Sequence, residues 1–298
     1  MSNVRSALID ATQRLTASGI ESARTDAELL LCHVLDVSRA RLLTMDDLTR
    51  EQRMKFESLL SKRMSRHPLQ HLTGKAPFRY LELEIGPGAL VPRPETEVVV
   101  EAAIRHLRSL PSPVHVLDLC SGAAPIAIAI ATEVPASVVT GIEKYAEAQH
   151  WGRENAAKYA SAIAERGSVL RLVDGDVTDL AVYAEFAGSI DVVIANPPYI
   201  PNGMVPRDPE VALHDPKEAL FGGADGMDII RPMLDGTAYA LKSDGLLVIE
   251  HADAQGEAAG DSGVPAVVRA HPDFTEVADH NDLTARPRYT TARRKPRA

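Results

Sequence analysis

Apolar residues recur at helical spacing through roughly the first 70 residues. Val4, Leu8, Ala11 and Leu15 fall on one face, and Gly19 stands where a helix C-terminal glycine belongs. Thr25-Asp26-Ala27-Glu28 reads as a capping box opening the run Leu29-Leu30-Leu31, and Thr49-Arg50-Glu51-Gln52 repeats the device ahead of Phe56, Leu59, Leu60 and Met64. The pattern predicts a small three-helix bundle over residues 1–75. The period then changes to two. Phe78 to Ile85 alternates, Gly86-Pro87-Gly88 is a turn, and Ala89-Leu90-Val91 starts a second short strand, which predicts a β-hairpin linker over 76–97.

From residue 98 to 298 strand patterns alternate with helical ones. Candidate strands are Val114 to Leu119, Ser137 to Ile142, Ser168 to Val173, Ile190 to Ala195 and Gly245 to Glu250, most of them nearly continuous apolar runs. Such runs belong to a parallel sheet covered on both faces. Helical segments lie between them, Ala146 to Ala164 among them, and Phe274 to Ala278 and Arg288 to Ala292 could pair as antiparallel edges. The fold class is α/β, a doubly wound sheet behind a helical N-terminal domain.

Composition narrows the function classes. The chain has 298 residues, 45% hydrophobic and 24% charged, which is ordinary for a soluble globular protein. No run approaches the roughly 20 apolar residues of a membrane span. Met1-Ser-Asn-Val-Arg leads straight into an amphipathic pattern rather than a signal peptide. The two cysteines, Cys32 and Cys120, make neither a disulfide framework nor a zinc site, and the ten histidines show no metal spacing, so a reducing, cytoplasmic setting without a metal is expected. A net charge of −9 disfavours general nucleic-acid binding. The basic tail Arg293-Arg294-Lys295-Pro296-Arg297 reads as a solvated terminus rather than a binding patch.

Ligands of open α/β sheets bind beyond the carboxyl ends of the strands, so the residues just after each strand carry the candidate chemistry. After the first strand comes Asp118-Leu119-Cys120-Ser121-Gly122-Ala123-Ala124-Pro125, with Pro125 suited to a first helical position. Glu143 follows the second strand, Asp174-Gly175-Asp176 the third, and Asn196-Pro197-Pro198-Tyr199 the fourth. Singly, Gly122 is an ordinary strand-to-helix turn and Glu143 a loop residue; in sequence, acidic groups after three strands suit the ribose hydroxyls of a nucleoside. Two prolines leave the preceding carbonyls free to accept. Asn196 adds an acceptor oxygen and two donors, and Tyr199 an aromatic wall. The site suits a planar group bearing an NH₂. Cys120 and Trp151 read as packing residues, and His251 as a supporting one.

These residues resemble the amino-methylating class of S-adenosylmethionine-dependent methyltransferases, and the whole chain is similar to the bacterial release-factor glutamine N5-methyltransferases. Matching segments include Ser22 to Leu30, His67 to Gly74, Val91-Pro92-Arg93-Pro94-Glu95-Thr96-Glu97, Ile194 to Pro201, Phe221 to Gly226, Glu250-His251, Asp282-Leu283 and Arg286 to Arg288. The resemblance spans residues 4 to 292. It implies a Rossmann-like class I methyltransferase domain and methyl transfer to the glutamine amide nitrogen of the Gly-Gly-Gln motif in class I release factors. It also implies that Asp118 and Cys120, Ser121, Gly122, Ala123 and Ala124 hold the methionine part of the cofactor, Glu143 the ribose, and Asp176 and Val177 the adenine. Asn196, Pro197, Pro198 and Tyr199 would hold the glutamine amide, with Asn196 also beside the cofactor. S-adenosylhomocysteine would be the product, a release factor the protein partner, and neither membrane nor nucleic acid a partner.

The chain departs from the family at the loop after the first strand, where Cys120, Gly122 and Ala124 stand at three glycine positions; a non-glycine residue at positive φ costs about 1–2 kcal/mol. Glu143 replaces the usual aspartate. Two alternatives follow from the residues. Asn-Pro-Pro-Tyr also positions adenine N6 or guanine N2 in related enzymes, which the acidic balance and the N-terminal match oppose. The depleted glycines motivate the other, a catalytically silent binding module.

Overall fold

The computed structural model describes residues 2–42 and 44–297. The chain forms two compact units. One contains the residues up to Lys75 with Ile85–Pro87 and Val205–Asp215; the other contains Ala76–Glu84, Gly88–Met204 and the chain from Pro216 onward.

In the first unit, α1 (Val4–Ala17), α2 (Ala23–Leu35) and α3 (Arg50–Met64) turn their apolar faces onto one another. Leu8, Ala11, Leu15, Leu30, Leu31, Phe56 and Leu60 form their common core, each large side chain contributing about 1.5–3 kcal/mol by burial. The box at Thr49 forms as predicted: Gln52 N–H donates to Thr49 Oγ1 at 3.2 Å, and Thr49 N–H to Gln52 Oε1 at 2.9 Å. The one at Thr25 does not. α2 begins three residues earlier after Ser22, and the acids of the expected box are engaged by cations instead. Asp26 accepts from the buried Arg63 at 2.7 Å, and Glu28 pairs with Arg24 and Arg39. Arg63 also donates to Glu210 at 2.8 Å, which fastens the returning segment Val205–Asp215 to this unit. No pattern in the sequence marks that excursion.

The β-hairpin forms in another register from the one predicted. Lys75–Phe78 pairs with Leu81–Glu84, and Arg79-Tyr80 makes the turn. Arg79 stands at φ 51°, its N–H donating to Glu97 and its guanidinium to Glu133 and Glu101; this cage interrupts the alternation that otherwise reads as one strand. Ala89–Val91 is irregular, not a strand.

The second unit is built on a seven-stranded sheet: β1 (Val114–Leu119), β2 (Ser137–Glu143), β3 (Val169–Asp174), β4 (Ile190–Ala195), β5 (Leu241–Glu250), β6 (Phe274–Asn281) and β7 (Pro287–Arg294). Their spatial order is β6-β7-β5-β4-β1-β2-β3, with β1 to β5 parallel to one another and β7 antiparallel to both β5 and β6. The two last strands were expected to be edges. Only β6 is; β7 lies inside, its Thr290 and Ala292 buried as a central strand requires.

Alternation along the strands divides the core. Val116, Ile194 and Val248 pack on one face with α4 (Pro94–Leu107) and α5 (Pro125–Glu133). Leu117, Val193 and Leu247 pack on the other with α7 (Ile230–Ala240). The single helix expected after β2 is two, α6 (Ala146–Lys158) and Ala160–Glu165, broken at Tyr159, whose hydroxyl bonds the backbone of Glu82. No helix among the described residues is long and apolar enough to cross a membrane.

Candidate active site

Strand register brings the candidate residues to one edge. Leu119 stands opposite Ile142 and Ala195, Ile142 opposite Val173, and Ala195 opposite Ile249, so Cys120, Glu143, Asp174, Asn196 and Glu250 leave the sheet at a common level. Above that row lies a cavity of about 780 Å³ within the second unit, large enough for a cofactor together with part of a substrate. Cys120, Ser121, Gly122, Ala123, Glu143, Asp176, Val177, Asn196 and Pro198 line it.

The loop after β1 places three alternate residues in the left-handed region: Cys120 at φ 59°, Gly122 at 58° and Ala124 at 62°. A Cβ on Gly122 would meet nothing within 4 Å, so the loop presents a bare backbone to the cavity. Ala124 and Asp118 are buried beneath it. Asp118 Oδ2 accepts from Ser121 Oγ at 2.6 Å and from Ala127 N–H at 3.1 Å, which ties the strand end to the first turn of α5. Asp118 Oδ1 is buried without a partner among the described residues. Burial pushes this carboxyl up to about 7, against the pull of Ser121 and Ala127. Burial and the neighbouring Glu143, Asp118 and Asp176 push the Cys120 thiol up as well, which removes it as a nucleophile.

Glu143 organises the next loop. Its Oε2 accepts from Gly122 N–H at 2.8 Å, and Oε1 accepts from the N–H groups of Lys144 and Tyr145, both at 2.9 Å. Asp176, after β3, pairs with Lys144 at 2.8 Å and accepts from Thr178; Lys144 holds its carboxyl down near 2. Val177 is buried beside it.

Beyond β4 the Asn196 side chain donates from Nδ2 to Thr96 Oγ1 at 3.2 Å. The following backbone is gripped from several sides. Gln255 donates to Tyr199 O at 2.9 Å, and Ile200 pairs with Phe221 in a short bridge. Gly222 and Gly226 let the segment before α7 press directly on the Asn-Pro-Pro-Tyr backbone, since a Cβ at either would overlap the carbonyl of Pro198 or Tyr199. Tyr199, expected as an aromatic wall, packs its ring against the core of the α7 face instead. The aromatic lining comes from Phe78, Tyr145 and Phe221. Pro197 is buried.

Sequence reasoning did not single out Thr96, Lys144, Gln255 or the backing role of Gly222 and Gly226. Thr96 and the two glycines lay within segments noted only for resemblance; Lys144 and Gln255 carried no local signal.

Two family models match the chain: the PrmC N-terminal domain over residues 6–74 and the methyltransferase small domain over 100–208. A release factor glutamine methyltransferase of Mycolicibacterium smegmatis is 41% identical over 299 residues, covering 100% of both chains. One from Streptomyces coelicolor is 42% identical over 288 residues, covering 95% of each. A relative from Streptomyces pristinaespiralis, a 4-amino-L-phenylalanine/4-methylamino-L-phenylalanine methyltransferase, is 36% identical over 271 residues, covering 89% of this chain and 86% of its own.

Proposed function

The chain belongs to the release factor glutamine methyltransferase family, and we propose that its cavity transfers a methyl group from S-adenosylmethionine to the side-chain nitrogen of the glutamine in the Gly-Gly-Gln motif of a class I release factor. The observation that carries the reading is the common level of Glu143 and Asn196 on one cavity, a cofactor half beside an amide-binding half.

The residues of the first half fit the cofactor. The bare backbone at Gly122 admits a close ligand, and the carboxyls of Asp118, Glu143 and Asp176 suit a molecule that carries cationic groups and ribose hydroxyls. Cys120 to Ala124 with Asp118 would hold its methionine part, Glu143 its ribose, and Asp176 and Val177 its adenine. S-adenosylmethionine, when bound, supplies an electrophilic methyl on sulfur.

The chain's own task is orientation. An amide nitrogen is a weak nucleophile because its lone pair is delocalised into the carbonyl. Asn196 Oδ1 and the Pro197 carbonyl would accept its two hydrogens and aim the nitrogen into the cofactor half. Pro198 lines the cavity and keeps the turn rigid, and the Tyr199 backbone is held by Gln255. Positioning of this kind removes up to about 7–11 kcal/mol of a barrier in favourable model systems. The acidic chain and the cavity's modest basic content argue against a nucleic acid as the methyl acceptor.

The test is methylation of a purified release factor by the purified chain with S-adenosylmethionine, read by mass and by peptide mapping to the Gly-Gly-Gln glutamine. A parallel reaction offers 4-amino-L-phenylalanine, for which the 36% identical relative is named. One added methyl on that glutamine is expected. Methylation of the aromatic amine alone overturns the reading, and no calorimetric heat with the cofactor, even with release factor present, supports the silent module.

A further inference from the structure

The Asn-Pro-Pro-Tyr turn cannot hold itself. Pro197 and Pro198 carry no N–H, so half of the segment has no backbone donor, and proline fixes φ at both positions while leaving ψ free. The placement of Asn196 and Pro198 in the cavity wall therefore depends on what fixes the far end of the turn. That end is the Tyr199 carbonyl, and Gln255 Nε2 donates to it at 2.9 Å.

The sense of the Gln255 amide is set by backbone groups, whose donor and acceptor roles are not interchangeable. Ala252 N–H only donates, and Gln255 Oε1 accepts from it at 3.1 Å. Tyr199 O and Asp225 O only accept, and Nε2 lies 2.9 Å from the first and 3.5 Å from the second. One side chain thus joins the chain after β5, the loop after β4 and the segment before α7. It is 6% exposed, so water does not replace it. The backbone that carries it is braced on both sides. Gln255 N–H donates to Ala252 O at 2.9 Å, and Glu257 N–H to Asp279 Oδ2 at 2.7 Å. Between them Gly256 lies so close to β6 that a Cβ would stand 2.4 Å from Asp279 Oδ2. Gly226 packs on the amide from the opposite segment, where a Cβ would stand 2.6 Å from Gln255 Nε2.

We propose that Gln255 is a positioning residue for methyl transfer: by pinning the Tyr199 carbonyl it sets where the Asn-Pro-Pro-Tyr turn presents the substrate amide, a role that rests on the reading of that turn as the amide's holder. Gln255 does not line the cavity and acts only through the turn.

The experiment measures steady-state methylation of a purified release factor by wild type, Gln255→Met, Gln255→Glu and Asn196→Ala, with calorimetric S-adenosylmethionine binding and thermal melting of each. Gln255→Met keeps the reach of the side chain and removes its donor. It should lower kcat by about 30-fold, as a small misplacement of a reacting group does, while the KM for release factor and the cofactor Kd change by less than about 3-fold. Gln255→Glu donates to Tyr199 O only when protonated; ionised, it sets a negative charge against two carbonyl oxygens. Burial beside those oxygens raises its pKa, so its kcat divided by that of wild type should fall at least about 10-fold from pH 6 to pH 9. The same ratio for Gln255→Met should stay flat. His251, Asp279, Arg288 and Asp225 with its partner Arg231 belong to the segments packed around this position in every variant, so their own titration cancels in the ratio. A merely structural role would lower Tm, raise both binding constants and leave the Gln255→Glu ratio flat. If Gln255→Met does not fold, the Gln255→Glu profile carries the test. A folded Gln255→Met at the wild-type rate, or a Gln255→Glu ratio that does not fall with pH, overturns the proposal. Asn196→Ala keeps the two levels apart. An active Asn196→Ala defeats the reading of the turn itself, whereas an inactive Asn196→Ala beside a full-speed Gln255→Met defeats only the clamp.

Discussion

On the β1 side of the cavity the backbone itself is bent: Cys120, Gly122 and Ala124 all stand at positive φ, and the loop is tied to its near neighbours through Asp118, Ser121 and Ala127, with Glu143 and Asn155 adding one bond each from the next strand and helix. On the β4 side the Asn-Pro-Pro-Tyr turn is held by distant groups, Thr96 a hundred residues away, Gln255, and a segment whose Gly222 and Gly226 press against its carbonyls. The first half keeps a geometry that two of its three glycines no longer make easy. The second keeps its glycines but places them in the support rather than in the motif. A local device tolerates substitution at the cost of strain, whereas a device assembled from far-apart segments fails when any backing surface swells.

Gly226→Ala breaks the β4 side with the largest expected effect. Gly226 stands at φ 79°, and a Cβ there would overlap the Tyr199 carbonyl, so left-handed strain and a backbone clash act together. Methyl transfer should fall at least about 10²-fold as the turn is displaced, since small misplacements of a reacting group cost that much. Cofactor Kd, set by the loops after β1, β2 and β3, should stay within about 2-fold. Kinetics beside calorimetry decide it, and a parallel loss of both would show that the two halves are not separate.

Glu143→Ala is the converse on the cofactor side. It removes the acceptor of three backbone N–H groups, at Gly122, Lys144 and Tyr145, along with the acceptors assigned to ribose. Leaving such groups unpaired costs about 1–3 kcal/mol, so the S-adenosylmethionine Kd should rise by roughly 10- to 100-fold. Calorimetric titration tests this, and an unchanged Kd would remove Glu143 from the site.

What the sequence made legible follows the same division. The strand-end groups Asp118, Glu143, Asp176 and Asn196 were readable because each lies within two residues of the end of its own apolar strand, and parallel register carries those ends to one level. Thr96 was not, because its meaning depends on an asparagine a hundred residues on. The excursion Val205–Asp215 was hidden for the same reason: its tie to the first unit is Glu210 on Arg63, 147 residues apart. Local misreadings had local causes of another kind. At Thr25 the capping acid Glu28 was drawn to Arg24 and Arg39, and at Arg79 a triad of glutamates bent a strand pattern into a turn.

Each half also buries one carboxyl, Asp118 below the first loop and Glu250 below the second, and burial pushes both up to about 7. The unfolded chain ionises these groups near pH 4, so between about pH 4.5 and 7 the folded state binds more protons and stability falls as pH rises, by up to about 1.4 kcal/mol per pH unit for each group. Above pH 7 the loss is complete and the curve levels. Asp176, held near 2 by Lys144, acts oppositely, its contribution being lost only as pH falls through that low value. The urea midpoint of Asp118→Asn should therefore gain on wild type steadily from pH 5 to pH 7. Parallel curves across that window would show that Asp118 is not destabilised by its burial.

The smallest effect concerns the strained loop itself. Cys120→Gly and Ala124→Gly restore glycine where φ is 59° and 62°. Left-handed backbone costs a non-glycine residue about 1–2 kcal/mol, while glycine returns roughly 0.5–1 kcal/mol of that through the freedom of the unfolded chain. Each variant should gain about 0.5–1 kcal/mol, a few degrees in Tm. Ala124 is fully buried, so its Cβ also gives up packing and its gain should be the lesser of the two. Cofactor affinity should move less than about 3-fold in either, because the loop already holds the glycine-like conformation before the ligand arrives. A large gain in affinity with no gain in stability would reverse this account: the loop would then be reaching its bent form only with ligand, and the β1 side would be as dependent on outside support as the β4 side.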